Sequence, residues 1–317
     1  MIRQFILCAL VLAPFYLMAQ KISTYNGPYE TSAFLQNGQA VYQYYDDPKT
    51  YERIRKGPFR FVFVGKDLYK GANQVIEGAY KNDLKHGQWT YTLNYTDFKN
   101  GEYFQSGPMK LVANYVDGLP HGVWNFTSVV KVRQMVYNRS TRKVSFGPYS
   151  APISIDLKAN FVNGVLTGSL VYNMNDKINN KIQAYACLFD SQGFYHGKNV
   201  IREGTTESIF EFDHGFLFKE ITRNLQSGSI KSEDNSKDLI LVKQLREGQA
   251  EDSKYKLESE SAYLSYLLKP VSKALKDCFF SEQWHFGEIY GDVQYDASDS
   301  YRPYQYQGLF FQSLRIK

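Results

Sequence analysis

The sequence predicts a mainly β protein in which β-hairpins follow one another along the chain. Aromatic residues make up 16% of the 317 residues, and 26 Tyr and 22 Phe far outnumber 3 Trp. Tyr and Phe suit the pleated, half-exposed surface of a strand. Asn-Gly and Asp-Gly pairs supply the positive φ angles of two-residue type I′ hairpin turns. Such pairs are Asn26-Gly27, Asn37-Gly38, Asn100-Gly101, Asp117-Gly118 and Asn163-Gly164.

Residues 1–19 have the anatomy of a secretory signal peptide. Arg3 precedes an apolar run, and Ala19 supplies the small residue that signal peptidase requires. The run is shorter than the roughly 20 residues of a good membrane-spanning helix. We therefore expect an exported protein, periplasmic or secreted, without membrane contact once the signal peptide is removed. The alternatives are a retained membrane anchor and a lipoprotein modified at Cys8.

The remaining bulk properties narrow the class of partner. The formal net charge is +5, and the charges are interspersed without a long basic block, so no nucleic-acid partner is predicted. Beyond the signal peptide the chain contains two cysteines, Cys187 and Cys278. In an oxidising compartment they could form one disulfide, but two separate buried thiols fit the sequence equally well.

Three segments of the chain repeat one pattern, and an internal repeat determines the fold. They are "GAYKNDLKHGQWTY" (78–91), "ANYVDGLPHGVWNF" (113–126) and "ANFVNGVLTGSLVY" (159–172). Each segment has an aromatic residue, a turn Asn or Asp two residues later, and a Gly five residues after that. A large apolar residue follows two residues after the Gly, and a second aromatic residue two residues further on. Weaker fragments recur at 193–201 and 210–218. The predicted structural residues of the repeat are His86, Gly87, Asp117, Gly118, His121, Gly122, Asn163, Gly164 and Gly168.

The repeat pattern is that of a hairpin. The stretch 153–161, "ISIDLKANF", alternates apolar and polar residues, which indicates a half-buried strand. Asn163-Gly164 then turns the chain, and Gly168 permits a bulge in the returning strand. Gly-Pro pairs mark strand starts or edges, because Pro cannot donate to a sheet ladder. These pairs are Gly27-Pro28, Gly57-Pro58, Gly107-Pro108 and Gly147-Pro148.

The repeated segments resemble MORN repeats, whose core reads roughly aromatic-x-Asn/Asp-Gly-x-x-His-Gly-x-Gly. They are closer to the degenerate MORN-like repeats of bacterial proteins, some of which are described as antitoxin-like. Trp89 and Trp124 stand at the last Gly of the motif, Asp83 replaces the turn Gly, and Thr167 replaces the His. The resemblance implies an elongated single-layer antiparallel sheet of successive hairpins with a role in scaffolding and interaction.

After the repeats the sequence becomes polar and then amphipathic. Pro270 falls inside a helical pattern, where it would kink or split the helix. The apolar residues of that pattern are Leu257, Leu264, Leu268, Val271, Leu275 and Cys278. The end of the chain returns to β character and is expected to cap the sheet. The predicted organisation is 1–19 signal peptide, 20–228 MORN-like β-hairpin repeats, 229–256 polar linker, and 257–317 C-terminal helix with capping strands.

The histidines are the residues most open to a functional interpretation. Four of the five precede Gly: His86, His121, His196 and His214. Their spacing follows the repeat, so we expect them to lie far apart along the sheet and to act in turns and packing. A metal site is therefore not predicted. The known catalytic, phosphate-binding and dinucleotide-binding motifs do not occur in the sequence, and no enzyme activity or cofactor is predicted.

Trp89, Trp124 and Tyr91 are candidate binding aromatics that could stack on a sugar or contact a partner. The alternative is that they cover the buried face of the sheet, because Leu170 occupies the matching position of the third repeat. The sequence thus predicts an exported, non-catalytic scaffold or binding protein that presents a repeat β-surface to a protein or cell-envelope glycan. The alternative is an antitoxin-like or immunity-like protein that neutralises a toxin.

Overall fold

The computed structural model describes residues 21–30, 37–65, 71–99, 102–150, 152–214, 216–234, 255–259, 274–275, 278 and 312–316. Over these residues the protein is mainly β, as predicted, and its strands form one antiparallel sheet that does not close on itself. Nearly every neighbouring pair of strands is a hairpin of consecutive elements. None of the described helical residues belongs to a helix that is long and apolar enough to span a membrane.

The described residues contain nineteen strands. They are β1 (Ser23–Glu30), β2 (Asn37–Asp46), β3 (Arg53–Val64), β4 (Gly71–Lys81), β5 (Leu84–Lys99), β6 (Glu102–Ser106), β7 (Met109–Val116), β8 (Leu119–Pro120), β9 (Gly122–Asn138), β10 (Lys143–Phe146), β11 (Ile153–Val162), β12 (Val165–Asp176), β13 (Lys181–Phe189), β14 (Gly197–Glu203), β15 (Thr206–Asp213), β16 (Phe216–Asn224), β17 (Ile230–Asp234), β18 (Tyr255–Ser259) and β19 (Gln312–Ile316).

The sheet runs from β1 to β17 by neighbour pairing. β6 and β7 lie in line between β5 and β9, and the short β8 precedes β9 in the returning half of the same hairpin. β10 pairs with the end of β9, and β11 pairs with its beginning. β19 pairs antiparallel with β18 and, through two residues, parallel with β16. Within the described residues β1 pairs only with β2, which makes it an edge strand.

Two of the predicted Asn/Asp-Gly turns join strands of the repeat. Asp117 and Gly118 have φ of 48° and 83°, and Asn163 and Gly164 have φ of 49° and 84°. Asn82 and Asp83 take the same role in the first repeat, with φ of 52° and 67°. Two positive φ angles in a two-residue loop define the type I′ turn, whose twist matches that of the flanking strands.

Two of the predicted turns are wrong. Asn26-Gly27 lies inside β1, and Asn37-Gly38 lies at the start of β2. Gly38 serves a different purpose, because a Cβ there would meet the Phe61 ring at 2.2 Å. The glycine lets the aromatic ring of the neighbouring strand pack against bare backbone. Asn100-Gly101 lies outside the described residues.

Among the described residues, a bulge with a positive-φ glycine recurs in the returning strand of five hairpins. The five glycines are Gly57, Gly87, Gly122, Gly168 and Gly197, with φ between 65° and 92°. The pairing register shifts beside this glycine in the β2–β3, β4–β5 and β11–β12 hairpins. The structure thus contains five copies of the bulge where the sequence indicated three clear copies.

The Gly-Pro pairs have more than one role. Gly107-Pro108 directly precedes β7, as predicted for a strand start, and Gly27-Pro28 lies in the edge strand β1. Gly147-Pro148 directly follows the end of β10, four residues before β11. Gly57-Pro58 lies inside β3, where Gly57 is itself the bulge glycine of the first copy. Pro58 is tolerated there because the ladder is already interrupted at a bulge.

One face of the sheet is buried and holds the core. Trp89 and Trp124 are fully buried, and Phe59 stacks on Trp89 with ring centroids 5.5 Å apart. Large and small side chains alternate across neighbouring strands in one row: Trp89, Ala113, Trp124, Ala159, Leu170 and Cys187. This alternation interdigitates the side chains of the row at the density of a protein interior.

The C-terminal part departs from the predicted organisation. β17 occupies part of the predicted linker 229–256 and pairs with β16 through five residues. Its polar sequence, "IKSED", is typical of a charged strand near a sheet edge. Leu257, predicted to begin the helix, lies in β18 instead.

Three further C-terminal residues belong to the core. Ala274, Leu275 and Cys278 are helical and lie in the same buried cluster as the aromatic row. The other positions of the predicted helical pattern, Leu264, Leu268 and Val271, lie outside the described residues. Cys187 and Cys278, both described and both buried, are not joined by a disulfide.

Candidate functional site

The turns of successive hairpins are fastened to one another along one edge of the sheet. The backbone N–H of Asp83 donates to Arg55 O at 2.8 Å. Gly118 N–H donates in the same way to Lys85 O at 2.9 Å, and Gly164 N–H to Pro120 O at 2.8 Å. Each turn therefore binds the backbone just before the bulge of the preceding hairpin. We term this row of turns, from Asn82 to His214, the turn edge.

In three of the five copies a histidine precedes the bulge glycine, and this histidine reaches the first turn residue of the next hairpin. His86 Nδ1 lies 3.6 Å from Asp117 Oδ1. His121 Nδ1 accepts from the N–H of Asn163 at 3.5 Å, and His196 Nδ1 accepts from the N–H of His214 at 3.4 Å. These distances are at the long limit for hydrogen bonds. The repeated histidine thus links neighbouring turns, and its imidazole remains partly exposed.

Asp83, which stands where the motif has its turn Gly, has a specific partner. Its carboxylate accepts from both the backbone N–H and the side-chain Nε of Arg55, at 3.2 and 2.5 Å. The Arg55 guanidinium also lies over the Tyr80 ring, 4.0 Å from the ring centroid. Asp83 thus lacks the conformational freedom of Gly at this positive-φ position, and its ion pair with Arg55 of the preceding hairpin stabilises the turn instead.

At the β15–β16 hairpin, the last one of the turn edge as defined above, two histidines come together. His214 occupies the turn between Asp213 and Phe216 with φ of 46°, so it stands where Asp117 and Asn163 stand in earlier copies. The His196 and His214 ring centroids are 4.7 Å apart. The prediction that the histidines lie far apart is wrong for this pair, because the bulge histidine of one hairpin meets the turn of the next.

Two carboxylates complete this cluster. Asp213 Oδ1 lies 3.6 Å from His196 Nδ1 and 3.9 Å from His214 Nε2. Asp190 Oδ2 lies 2.7 Å from His214 Nδ1, and the Asp190 side chain is only 8% exposed. The other Asp190 oxygen accepts backbone N–H groups of Gln192 and Phe194. Because this carboxylate is an acceptor, the neutral form of His214 carries its proton on Nδ1, which leaves the lone pair on Nε2.

The candidate binding aromatics do not form an exposed surface. Trp89, Trp124 and Tyr91 are all 0% exposed. The Trp89 indole N–H donates to Ala79 O at 3.1 Å, and the Trp124 indole N–H donates to Asn114 O at 2.9 Å. Their interpretation as sugar-stacking or partner-contacting residues is therefore wrong. All three side chains cover the buried face, and the two indoles bind backbone carbonyls beside a bulge; Asn114 O also accepts the backbone N–H of His121.

Cys187 is a packing residue of the core. It faces Leu170 in the row of alternating large and small side chains, at a position that Ala113 and Ala159 fill in other copies. Burial raises the pKa of its thiol to about 12. The side chain is therefore a protonated thiol at neutral pH, which is unsuited to nucleophilic chemistry.

Comparison with protein-family models, with curated proteins and with solved structures gave no match. The likeness to MORN repeats therefore depends on the residues quoted above. A function is therefore inferred from three features of the chain itself: the turn edge, the buried aromatic row and the exposed face opposite that row.

Proposed function

We propose that this chain is an exported, non-catalytic binding protein that presents the exposed face of its sheet to a protein partner. The observation that carries the proposal is the difference between the two faces of the sheet. One face is filled by the aromatic row. The opposite face exposes aliphatic side chains in the middle strands: Val123 at 37%, Val171 at 40% and Leu188 at 43%. We term these three residues the aliphatic patch.

Polar residues surround the aliphatic patch. The cross-strand neighbours of Val171 are Lys158 and Ala186, Val123 lies opposite Asn160, and Leu188 lies opposite Ser169. Apolar side chains with a polar border are typical of protein interaction sites. A protein fits better than a glycan, because the aromatic rings next to the patch, those of Trp124, Tyr172 and Phe189, lie on the other, buried face of these strands.

The finer description of the fold belongs to the same proposal. We regard the hairpins as degenerate MORN-like repeats, since five copies share the bulge glycine and three share the two-residue turn. We further propose that the C-terminal segment contributes an amphipathic helix and capping strands. The burial of Leu275 and the pairing of β19 with β16 support this role. Export is proposed from the signal-peptide anatomy of residues 1–19.

The proposal is tested by comparing two charged substitutions on the same face. Val171→Glu places a carboxylate in the aliphatic patch beside Lys158, and this neighbour offsets the effect on folding. Val41→Glu is the matched control, because Val41 is 41% exposed and has Arg60 as its cross-strand neighbour. β2 lies seven strand-to-strand steps from β12, or about 34 Å at about 4.8 Å per step.

Each variant is used as bait against envelope extracts, and the captured proteins are quantified by mass spectrometry. We expect Val171→Glu to lose at least tenfold of a partner that wild type and Val41→Glu retain. Equal capture by all three proteins would place the binding surface elsewhere. Fractionation tests export separately, because a full-length cytoplasmic product would contradict it without bearing on the binding face.

A further inference from the structure

The His196–His214 end of the turn edge carries a ligand set, and we propose that it binds a divalent transition-metal ion, with Zn²⁺ as the best fit. The ligand atoms are His196 Nδ1, Asp213 Oδ1 and His214 Nε2. In the described part of the chain, these three residues form the one group of three potential metal ligands, with one ligand atom of each within 4.8 Å of the others. Two imidazoles and a carboxylate are a ligand combination that Zn²⁺ uses in proteins.

The distances are close to those of a bound ion. Asp213 Oδ1 lies 3.6 Å from His196 Nδ1 and 3.9 Å from His214 Nε2. Ligand atoms about 2.0 Å from a tetrahedral Zn²⁺ lie about 3.3 Å from each other. The three ligand atoms lie within 4.8 Å of one another, so shifts of up to about 1.5 Å, shared between the side chains, would close the site. The His196 Nδ1 lone pair now accepts only a 3.4 Å contact from the His214 N–H, which the ion would replace.

Asp190 prepares His214 for this role. Its carboxylate holds the proton of His214 on Nδ1 at 2.7 Å, which directs the lone pair of Nε2 toward Asp213. A carboxylate behind a ligating histidine is the usual support of a zinc site, because it fixes the tautomer and the ring orientation. Asp190 is itself fixed by the backbone N–H groups of Gln192 and Phe194.

The other copies of the turn edge supply an internal comparison. His86 meets Asp117, and His121 meets the backbone of Asn163, so each of those links has one imidazole. At the last hairpin the turn residue is His214 and the preceding residue is Asp213, where Val116 and Val162 stand in earlier copies. The side chains of His196 and His214 are 46% and 55% exposed, which leaves the fourth tetrahedral position open to water.

The experiment titrates Zn²⁺ into untagged, chelator-treated protein in competition with a chromophoric chelator. We expect one equivalent to bind to wild type. His214→Asn should weaken binding at least a hundredfold, and the turn should survive because Asn82 and Asn163 adopt the same positive φ in their turns. His121→Asn is the matched control and should bind as wild type does. No stoichiometric binding, or unchanged binding by His214→Asn, would overturn the site.

Asp190→Asn tests the geometry in more detail. The amide keeps an oxygen for Gln192 and Phe194 but presents N–H to His214 Nδ1, which moves the ring proton to Nε2. We expect binding to weaken about tenfold to a hundredfold, the usual cost of losing such a support. Histidine ring signals of wild type, followed by ¹H–¹⁵N NMR, give a readout that needs no variant. Zn²⁺ should shift His196 and His214 and leave His121 unchanged, and the reverse pattern would refute the assignment.

Discussion

The hairpins β7–β9 and β13–β14 share one backbone plan and differ in the side chain two residues after the bulge glycine. In the first hairpin this side chain is Trp124, and in the second it is Asn199; both are buried. The Trp124 indole donates to Asn114 O at 2.9 Å. The Asn199 side chain accepts from the Leu188 N–H at 2.7 Å and donates to Gly197 O at 3.0 Å.

This difference shows what the repeat requires. A bulge disrupts the strand ladder locally, and a polar side chain buried beside it needs a hydrogen bond. An indole and a carboxamide both supply one, although the first is a large apolar group and the second a small polar group. In the β11–β12 hairpin Leu170 has no polar group and needs no such bond; separately, Asn160 Nδ2 donates to Thr167 Oγ1 across the bulge at 3.1 Å. The copies therefore share the bulge, whereas the side chains beside it and their hydrogen bonds differ from copy to copy.

Among substitutions that test the comparison of the two hairpins, Trp124→Ala is expected to have the largest effect on stability. We expect a loss of about 3–5 kcal/mol in the free energy of unfolding, from the cavity left by a fully buried Trp. The lost donor to Asn114 O adds to that loss. Urea denaturation followed by far-UV circular dichroism measures it. Val123→Ala, on the exposed face of the same strand, is the control and should change stability by less than about 0.5 kcal/mol. Equal losses for the two variants would show that the row of side chains is not the core.

Asn199→Leu tests the hydrogen bonds that the Asn199 carboxamide makes beside the bulge of the β13–β14 hairpin. Leu170 stands at the matching position of the β11–β12 hairpin. At position 199, however, Leu would leave the Leu188 N–H and the Gly197 carbonyl without the Asn199 side chain. We expect a loss of about 1–3 kcal/mol, the usual penalty for a buried polar group that loses its partner. Asn173→Leu, at an exposed position of β12, is the control for replacing Asn by Leu in a strand. If Asn199→Leu unfolds at the wild-type urea concentration, the bulge of β13–β14 does not need a side-chain partner.

The fold class follows from local signals that sequence reasoning can see. Asp117-Gly118 and Asn163-Gly164 specify turns by their own backbone preferences, and the alternation of 153–161 specifies a two-faced strand. The copy at β2–β3 was missed because a longer loop replaces its two-residue turn. Sequence alone therefore assigns Gly57-Pro58 to a strand start or edge, whereas it lies at a bulge inside β3. Loop length varies freely at a surface, so it hides a repeat whose buried geometry is intact.

The His196–His214 cluster could not be predicted in the same way. Both residues precede Gly, and as dipeptides they look equivalent. In the structure His196 precedes a bulge and His214 occupies a turn, so the same dipeptide has two roles that only the register of the strands distinguishes. A signal was present nevertheless: Asp213 breaks the Val found before the turn in two earlier copies. Departures from a repeat are therefore the positions to inspect for a site.

The smallest expected effect is that of Cys187, the residue of β13 in the buried row of large and small side chains, and it depends on pH. Burial raises the pKa of the Cys187 thiol from 9.0 to about 12, so the folded state keeps a proton that the unfolded chain releases. The stabilisation from the protonated thiol is complete below about pH 9 and is lost as pH rises toward 12. Cys187→Ala, which copies Ala113 and Ala159, removes this dependence. We expect the variant to be less stable than wild type at pH 8 and to recover part of the difference at pH 10.5.

Urea denaturation at the two pH values measures the change in that difference. Leu170→Val, a nontitrating substitution facing Cys187, is the control and should cost the same at both. A constant gap between Cys187→Ala and wild type would mean that solvent reaches the thiol. That result would also count against the packed row, because a side chain between Leu170 and the next strand can titrate normally only if the row opens.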